Sequence, residues 1–316
     1  MSPKKVSVSI VNYNTKGFLE GCISSVLAQD YPDIEVVLVD NASLDGSAEF
    51  VRDRFPSVKI IENAQNLYFA EGQNVGIRAS AGEYVLALNT DVVLEKDFVS
   101  EMVRAIESDD RVGSVSGKIM RPDKKTIDTA GQSVGRNRKP VDRGYGETDK
   151  GQYDTPGFIF GAGGVCPLYR RAMLDDVAIE GEYFDETYGM YYEDLDLAWR
   201  AHARGWKAYY TPKAVACHER GGTGKQVRPF LNILRGYDMA YLPDELKAML
   251  LANRYKTMLK NDKLPDFLLN LPFIILYDIK IWAFVVLFCP GVIPGFLRGL
   301  RHLPAAWRRR KLIHGV

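Results

Sequence analysis

Val6-Ser7-Val8-Ser9-Ile10-Val11, running into Asn12-Tyr13-Asn14, is the stretch that decides the fold. It holds apolar and small residues without a charge, the composition of a strand buried on both faces, and such strands belong to parallel sheets. Outward from it, the same unit recurs. Phe18, Cys22, Val26 and Leu27 return at helical spacing after a loop carrying Asn14, Thr15 and Gly17. Residues 34–39 form a second apolar run, and the turn-rich Asp40-Asn41-Ala42-Ser43-Leu44-Asp45-Gly46-Ser47 leads into a short helix over 47–55. Residues 58–61 and 84–88 read as third and fourth strands, the fourth ending at Asn89-Thr90-Asp91. Strands alternating with helices predict an α/β fold, a doubly wound and mostly parallel Rossmann-like sheet. Ligands of such sheets sit at the carboxyl ends of strands, where Asn12, Asp40 and Asp91 all fall.

A chain of 316 residues, 46% hydrophobic and 26% charged, has room for an enzyme domain plus an appendage. A net charge of +1 argues against a nucleic-acid partner, which needs a broad basic surface. Cys22, Cys166, Cys217 and Cys289 are scattered without a CxxC pair, a pattern of reduced thiols. Residues 1–5 run straight into the first strand, too short for a signal peptide, so a cytoplasmic location is expected.

Beyond the fourth strand the pattern loosens. Residues 113–160 read as an irregular excursion or flap. Residues 193–204 predict a helix with Leu195, Ala198 and Trp199 on its apolar stripe and Gly205 as its stop. Short strands are expected over 207–210 and 214–216. After about Arg235 the composition changes. Residues 245–260 suit an amphipathic helix with Leu246, Met249, Leu250, Tyr255 and Leu259 near one side. Residues 267–296 are strongly apolar but contain Asp278, Lys280 and several prolines, which fits an interfacial or re-entrant membrane helix better than a spanning one. Trp282, Trp307 and the basic run Arg308-Arg309-Arg310-Lys311 would then sit at headgroup depth. A helix docked on the catalytic domain, or a homo-oligomer interface, is the alternative.

Three polar features carry possible chemistry. Asp91, just past a central strand, is either a ligand for a hard divalent cation or a helix cap. Glu193-Asp194 opens a helix, where the dipole would hold a base ionised or where the carboxylates merely cap. His218 follows Val215-Ala216-Cys217 and precedes Gly221-Gly222-Thr223-Gly224; alone it is a packed or surface residue as readily as a ligand.

Read together and in order, these pieces form a pattern. Val8-Ser9-Ile10-Val11-Asn12-Tyr13-Asn14, Val39-Asp40-Asn41-Ala42-Ser43, Asn66-Leu67-Tyr68-Phe69-Ala70-Glu71-Gly72-Gln73-Asn74, Leu88-Asn89-Thr90-Asp91, Phe160-Gly161-Ala162-Gly163-Gly164 and Tyr191-Tyr192-Glu193-Asp194 resemble the family-2 glycosyltransferases of the GT-A fold, over about residues 6–223. The nearest flavour is the rhamnosyltransferase-like branch, which builds bacterial surface polysaccharide. The resemblance implies a metal-dependent inverting transferase. Asp40 would bond the pyrimidine base, with Asn12 and Asn14 in the same pocket and Asn74 bordering the nucleotide and sugar. Asp91 would be the metal-ligating end of a DxD motif and His218 the downstream ligand of Mg²⁺ or Mn²⁺. Asp194 would be the base, supported by Glu193, while Gly163 and Gly164 let backbone approach the donor sugar or the acceptor. Asn89 departs from the motif, where a carboxylate is usual; its amide would bond ribose or sugar.

The expected donor is dTDP-L-rhamnose, with a UDP-hexose as the alternative, and the expected acceptor a glycan or lipid-linked glycan. Residues 1–235 would form the catalytic domain, with a nucleotide-sugar half to about 110 and an acceptor half over 111–235. Residues 236–316 would be a helical extension holding the enzyme on the inner face of the cell membrane. An oxidoreductase or nucleotidyltransferase lacks support, since neither GxGxxG after the first strand nor GxxxxGK[ST] occurs. A non-catalytic membrane-bound scaffold is the rival of another class.

Overall fold

A computed structural model of the chain describes residues 3–220 and 242–315. Gly221 to Gly224 and the boundary expected near residue 235 lie outside the described residues. The first half follows the expected alternation: β1 (Val6–Asn12), α1 (Lys16–Leu27), β2 (Ile34–Asp40), α2 (Ser47–Arg54), β3 (Lys59–Glu62), α3 (Tyr68–Arg78) and β4 (Tyr84–Asn89). Then come β5 (Val92–Leu94), α4 (Phe98–Ile106), β6 (Val112–Met120), β7 (Ile127–Thr129), β8 (Gln132–Val134), β9 (Pro140–Asp142), β10 (Gly157–Ile159), β11 (Leu168–Arg170), α5 (Arg171–Val177), α6 (Glu193–Ala203) and β12 (Lys207–His218).

The main sheet runs β10-β12-β6-β11-β4-β1-β2-β3. Strands β1 to β4 pair in parallel, whereas β11 inserts antiparallel between β4 and β6. Alternate strand residues face opposite layers. Val8, Ile10, Leu38 and Leu86 pack on α1 and α4, while Val85 and Ala87 pack on α3, α5 and α6. The expected doubly wound sheet, with helices on both faces, is therefore present.

The stretch after residue 113, taken as an irregular flap, contains β6, a buried central strand of the sheet. Its sequence hid it: Gly113, Ser114, Ser116 and Gly117 carry little hydrophobic signal. Gly117 is needed because an added Cβ would lie 2.4 Å from the Ala214 carbonyl oxygen. Lys118 is buried with its ammonium between Asp149 and Asp154. The two short strands expected after residue 207 are one, β12, irregular between Tyr210 and Val215.

The C-terminal extension comprises α7 (Asp244–Asn261), α8 (Leu264–Phe288), α9 (Val292–Gly299) and α10 (Leu303–His314). The face α7 buries most deeply differs from the expected one. Leu246, Met249, Leu250, Tyr255 and Leu259 stay half-buried, while Asn253, Arg254, Lys256, Thr257, Lys260 and Asn261 are buried. Buried polar groups require partners, and these find them on the catalytic domain. Lys260 Nζ lies 2.6 Å from Asp185 and 2.9 Å from Asp196. The basic tail is likewise engaged: Arg309 is buried against Glu182 and Asp185, Arg308 pairs with Glu180, and Arg310 donates to the carbonyls of Leu259 and Asp262. Trp282 turns inward, its indole N–H on the Tyr255 hydroxyl at 2.8 Å. Of the residues placed at headgroup depth, Trp307, Arg308 and Lys311 stand exposed. Helix α8 is the apolar member, long enough to cross a membrane by composition, with 22% of its apolar window buried.

Candidate active site

The carboxyl ends of β1, β2 and β4 lie level, because Asn12 is registered with Asp40 and Val11 with Asn89. Asn12 Nδ2 donates to Asp40 Oδ1 at 2.6 Å and to Ser43 Oγ at 2.9 Å, while Asp40 Oδ2 accepts the Ser43 N–H at 2.9 Å. Asn14, at φ 54°, accepts the Leu44 N–H on its side-chain oxygen at 2.7 Å. The Thr15 hydroxyl meets Asn12 Oδ1 at 2.5 Å and Thr90 Oγ1 at 2.9 Å. A continuous polar chain thus runs from Asp40 to the residue before Asp91.

Asn74 does not join it. Its amide is fully buried and spent on the chain beyond α5: Nδ2 donates to the Phe184 carbonyl at 2.7 Å and Oδ1 accepts the Phe184 N–H at 2.9 Å. It stitches α3 to the sequence leading into α6, so its expected place beside the nucleotide is not supported. Asn89 stands half-buried at the end of β4.

Asp91 and His218 meet across an antiparallel pair, since His218 at the end of β12 is registered with Val92 of β5. His218 Nε2 lies 3.2 Å from Asp91 Oδ1, and its Nδ1 lies 2.7 Å from Asp128 Oδ2. Asp128, on β7, has no exposed surface and also takes Arg220 Nε at 2.6 Å. Burial opposes the charged imidazole, but hydrogen bonds to Asp128 and Asp91 prevail and push His218 up to about 9. Asp128 fixes the ring as a carboxylate behind a metal-ligating histidine does. Sequence reading missed it; its only signal was an acid flanked by Ile127 and Thr129 in a stretch with no assigned element.

Across the cleft, α6 begins at Glu193. Asp194 Oδ2 accepts the Gly164 N–H and the Gln132 amide, both at 2.9 Å, and Oδ1 accepts the Leu195 N–H at 2.7 Å. Burial raises its proton affinity above the usual aspartate range against those three donors. Glu193 differs from expectation. It is buried, its Oε2 has no hydrogen-bond partner, and burial with Asp194 alongside pushes its carboxyl far upward. At Glu193 desolvation outweighs the helix dipole. Asp196 points away, into Arg200 at 2.9 Å and Lys260.

The two glycines lie close against carboxyl groups. An added Cβ at Gly164 would meet Asp194 Oδ2 at 3.4 Å, and one at Gly163 would meet Asp142 Oδ1 at 3.4 Å. Asp142 was not anticipated. It sits opposite Gln132 in the β8–β9 hairpin, 3.9 Å from Arg220 Nη2. Burial pushes it up to about 6, Arg220 opposes, and the charges of Asp194 and Asp128 add to the rise. A chain of contacts, Asp194 to Gln132, its strand partner Asp142, then Arg220, Asp128 and His218, joins the two acidic centres.

Residues 7–178 match the model of glycosyl transferase family 2. The chain belongs to that family. This family-2 chain is 26% identical over 212 residues to a poly-β-1,6-N-acetyl-D-glucosamine synthase of Staphylococcus epidermidis, 66% of this chain and 48% of that one. The corresponding synthase of Staphylococcus aureus strain MSSA476 is 26% identical over 208 residues, 64% of this chain and 47% of that one. The chain thus spans about half the length of the curated relatives it matches. Among solved structures, Staphylococcus aureus TarS 1-349 with UDP-GlcNAc superposes with a TM-score of 0.59 at 17% identity, covering 98% of this chain and 83% of that one. The mannosyltransferase PcManGT of Pyrobaculum calidifontis, with GDP-Man and Mn²⁺, superposes at 0.56 and 20% identity over 97% and 76%. These structures share the fold. Within the family-2 frame, Gln132, Asp128, Asp142 and Arg220 are the cleft residues that motif reading left out.

Proposed function

We propose that this glycosyltransferase moves a sugar from a pyrimidine nucleoside diphosphate to a glycan hydroxyl in one inverting, metal-assisted displacement. The observation that carries the reading is the pairing of two unlike acidic centres on one cleft. Asp91 stands beside an imidazole oriented by Asp128, and Asp194 is raised in proton affinity yet held by three donors. Asp194 is the base that takes the acceptor proton; such assistance contributes about 10²–10⁴-fold in rate. Asp40, with Asn12 and Asn14, receives the base of the nucleotide.

A carboxylate and a neutral imidazole Nε2 fit Mg²⁺ or Mn²⁺, with Asn89 withholding a further charge. Among the described residues no group of three or more acidic, histidine or cysteine side chains is arranged to hold a metal ion, so diphosphate oxygens would complete the shell. Bound there, the ion would neutralise the departing diphosphate. His218 must give up its proton to serve.

For the donor, the expectation of dTDP-L-rhamnose rests on the branch resemblance alone, and the names of the matched synthases and of the TarS complex favour UDP-GlcNAc instead. The same relatives support a role in cell-surface polysaccharide. The exposed apolar side of α8 supports attachment to the inner face of the membrane, where a lipid-linked acceptor would be within reach. The test is release of nucleoside diphosphate from a panel of nucleotide sugars with Mn²⁺ or Mg²⁺. Asp194→Asn should abolish turnover with nucleotide affinity kept within a few-fold, and Asp91→Ala should weaken metal-dependent nucleotide binding. Turnover by Asp194→Asn at the wild-type rate removes it as base. No turnover of any donor by the wild-type chain favours the non-catalytic scaffold.

A further inference from the structure

The turn that feeds the base helix is unusual. Tyr191 and Tyr192, immediately before Glu193, both adopt left-handed backbone at φ 70° and 72°, after Gly189 at φ 63°. Side chains with a Cβ avoid that region, and two in succession persist only where the surroundings impose them. No side chain caps α6 at Tyr192. The constraint comes from α7, more than sixty residues away in sequence. Asn253 is 2% exposed, and its Nδ2 meets the carbonyls of Tyr188, Met190 and Tyr191 at 2.8, 2.9 and 2.9 Å. Its Oδ1 accepts Lys256 Nζ at 3.0 Å, which fixes the amide with its N–H groups toward the turn. Lys256 also holds the Thr187 carbonyl at 2.6 Å. The same turn reaches the donor side, since the Gly189 carbonyl accepts the N–H groups of Phe69 and Ala70 at the start of α3.

We infer that Asn253 is a positioning residue for transfer: its amide holds the left-handed turn that aims Asp194, making α7 part of the active site. The inference rests on Asp194 being the base. Truncating Asn253 removes the side-chain donor from the carbonyls of Met190 and Tyr191 and leaves that of Tyr188 with the Met190 N–H alone, and the turn can relax toward ordinary backbone. Asp194 then shifts relative to Gly164 and the acceptor, and a displacement of about 1 Å costs a reacting pair up to roughly 10²-fold.

The test uses the full chain as Asn253→Ala, Asn253→Ser and Asn253→Gln, each compared with wild type per folded molecule. Expected for Asn253→Ala is a ten- to hundred-fold fall in kcat for Mn²⁺-dependent nucleoside-diphosphate release from the nucleotide sugar that wild type turns over. UDP affinity with Mn²⁺ stays within two-fold. Backbone amides over 190–195 exchange hydrogen at least ten-fold faster, with β1 to β4 unchanged. Asn253→Gln, which keeps the amide, recovers part of the loss. Unchanged kcat and unchanged local exchange in Asn253→Ala overturn the inference. Should Asn253→Ala fail to fold, wild-type kcat and exchange in Asn253→Ser overturn it equally, leaving Asn253 a mere fastener of α7. If Asp194→Asn keeps full turnover, the base reading fails on its own, and the exchange data still decide whether Asn253 holds the turn.

Discussion

Glu193 and Asp194 are adjacent carboxyls that the fold treats in opposite ways. Asp194 keeps three donors and access to the cleft, whereas Glu193 is buried with one oxygen unpartnered. A carboxyl raised by burial binds its proton more tightly folded than unfolded. Its cost to stability therefore begins as pH rises past the ordinary glutamate range and grows until the folded group ionises. Glu193→Gln removes that cost. Its Tm relative to wild type should rise steadily as pH increases above about 4.5, with no gain below. Thermal melts of both proteins at several pH values would check this, and an equal offset at all pH values would mean that Glu193 is ionised in place. Motif order made Asp91, Asp194 and His218 legible, because each sits at a strand end or helix start. Asp128, Asp142 and Gln132 were not, since their roles arise from pairings of β7, β8 and β9 that no local pattern encodes.

At the scale of elements, legibility follows where the hydrophobic signal resides. Strands β1, β2 and β4 are apolar runs and were readable; β6 is as deeply buried, but glycine, serine and a paired lysine interrupt its apolar residues. Helix α7 shows the same limit, because its most buried face is polar and satisfied by Asp185, Asp196 and the turn before α6. Helix α8 is the reverse case. Ile281, Phe284 and Val285 pack inward with α7 and α9, while Leu269, Leu276 and Ile279 are 70, 54 and 62% exposed. Each exposed side chain of this kind is worth about 1.5–3 kcal/mol when buried. Replacing these three by glutamine should cut sedimentation with anionic liposomes by about ten-fold or more, a loss of at least ~1.4 kcal/mol. The Tm should barely move, because none of the three packs in the core. Unchanged sedimentation would turn α8 into a packing or oligomer surface.

For the whole molecule, the extension is an integral layer rather than a detachable anchor. Lys260 and Arg309 are the cations for buried Asp185, Lys260 also serves Asp196, and those carboxyls are held below the usual range. Removing the partner of a buried charge typically costs about 3–5 kcal/mol. A chain ending near residue 235 should therefore lose its cooperative melting transition or its solubility, whereas a simple membrane tether would leave a soluble, cooperatively melting domain. Calorimetry of that truncation against the full chain separates the two. The bonds from Asn253 to the carbonyls of Tyr188, Met190 and Tyr191 extend this to heredity. A catalytic half and a tail joined at such a junction cannot be exchanged freely between relatives. Chimaeras should work only when the turn at 188–192 and position 253 come from the same parent, and through evolution the two should change in concert.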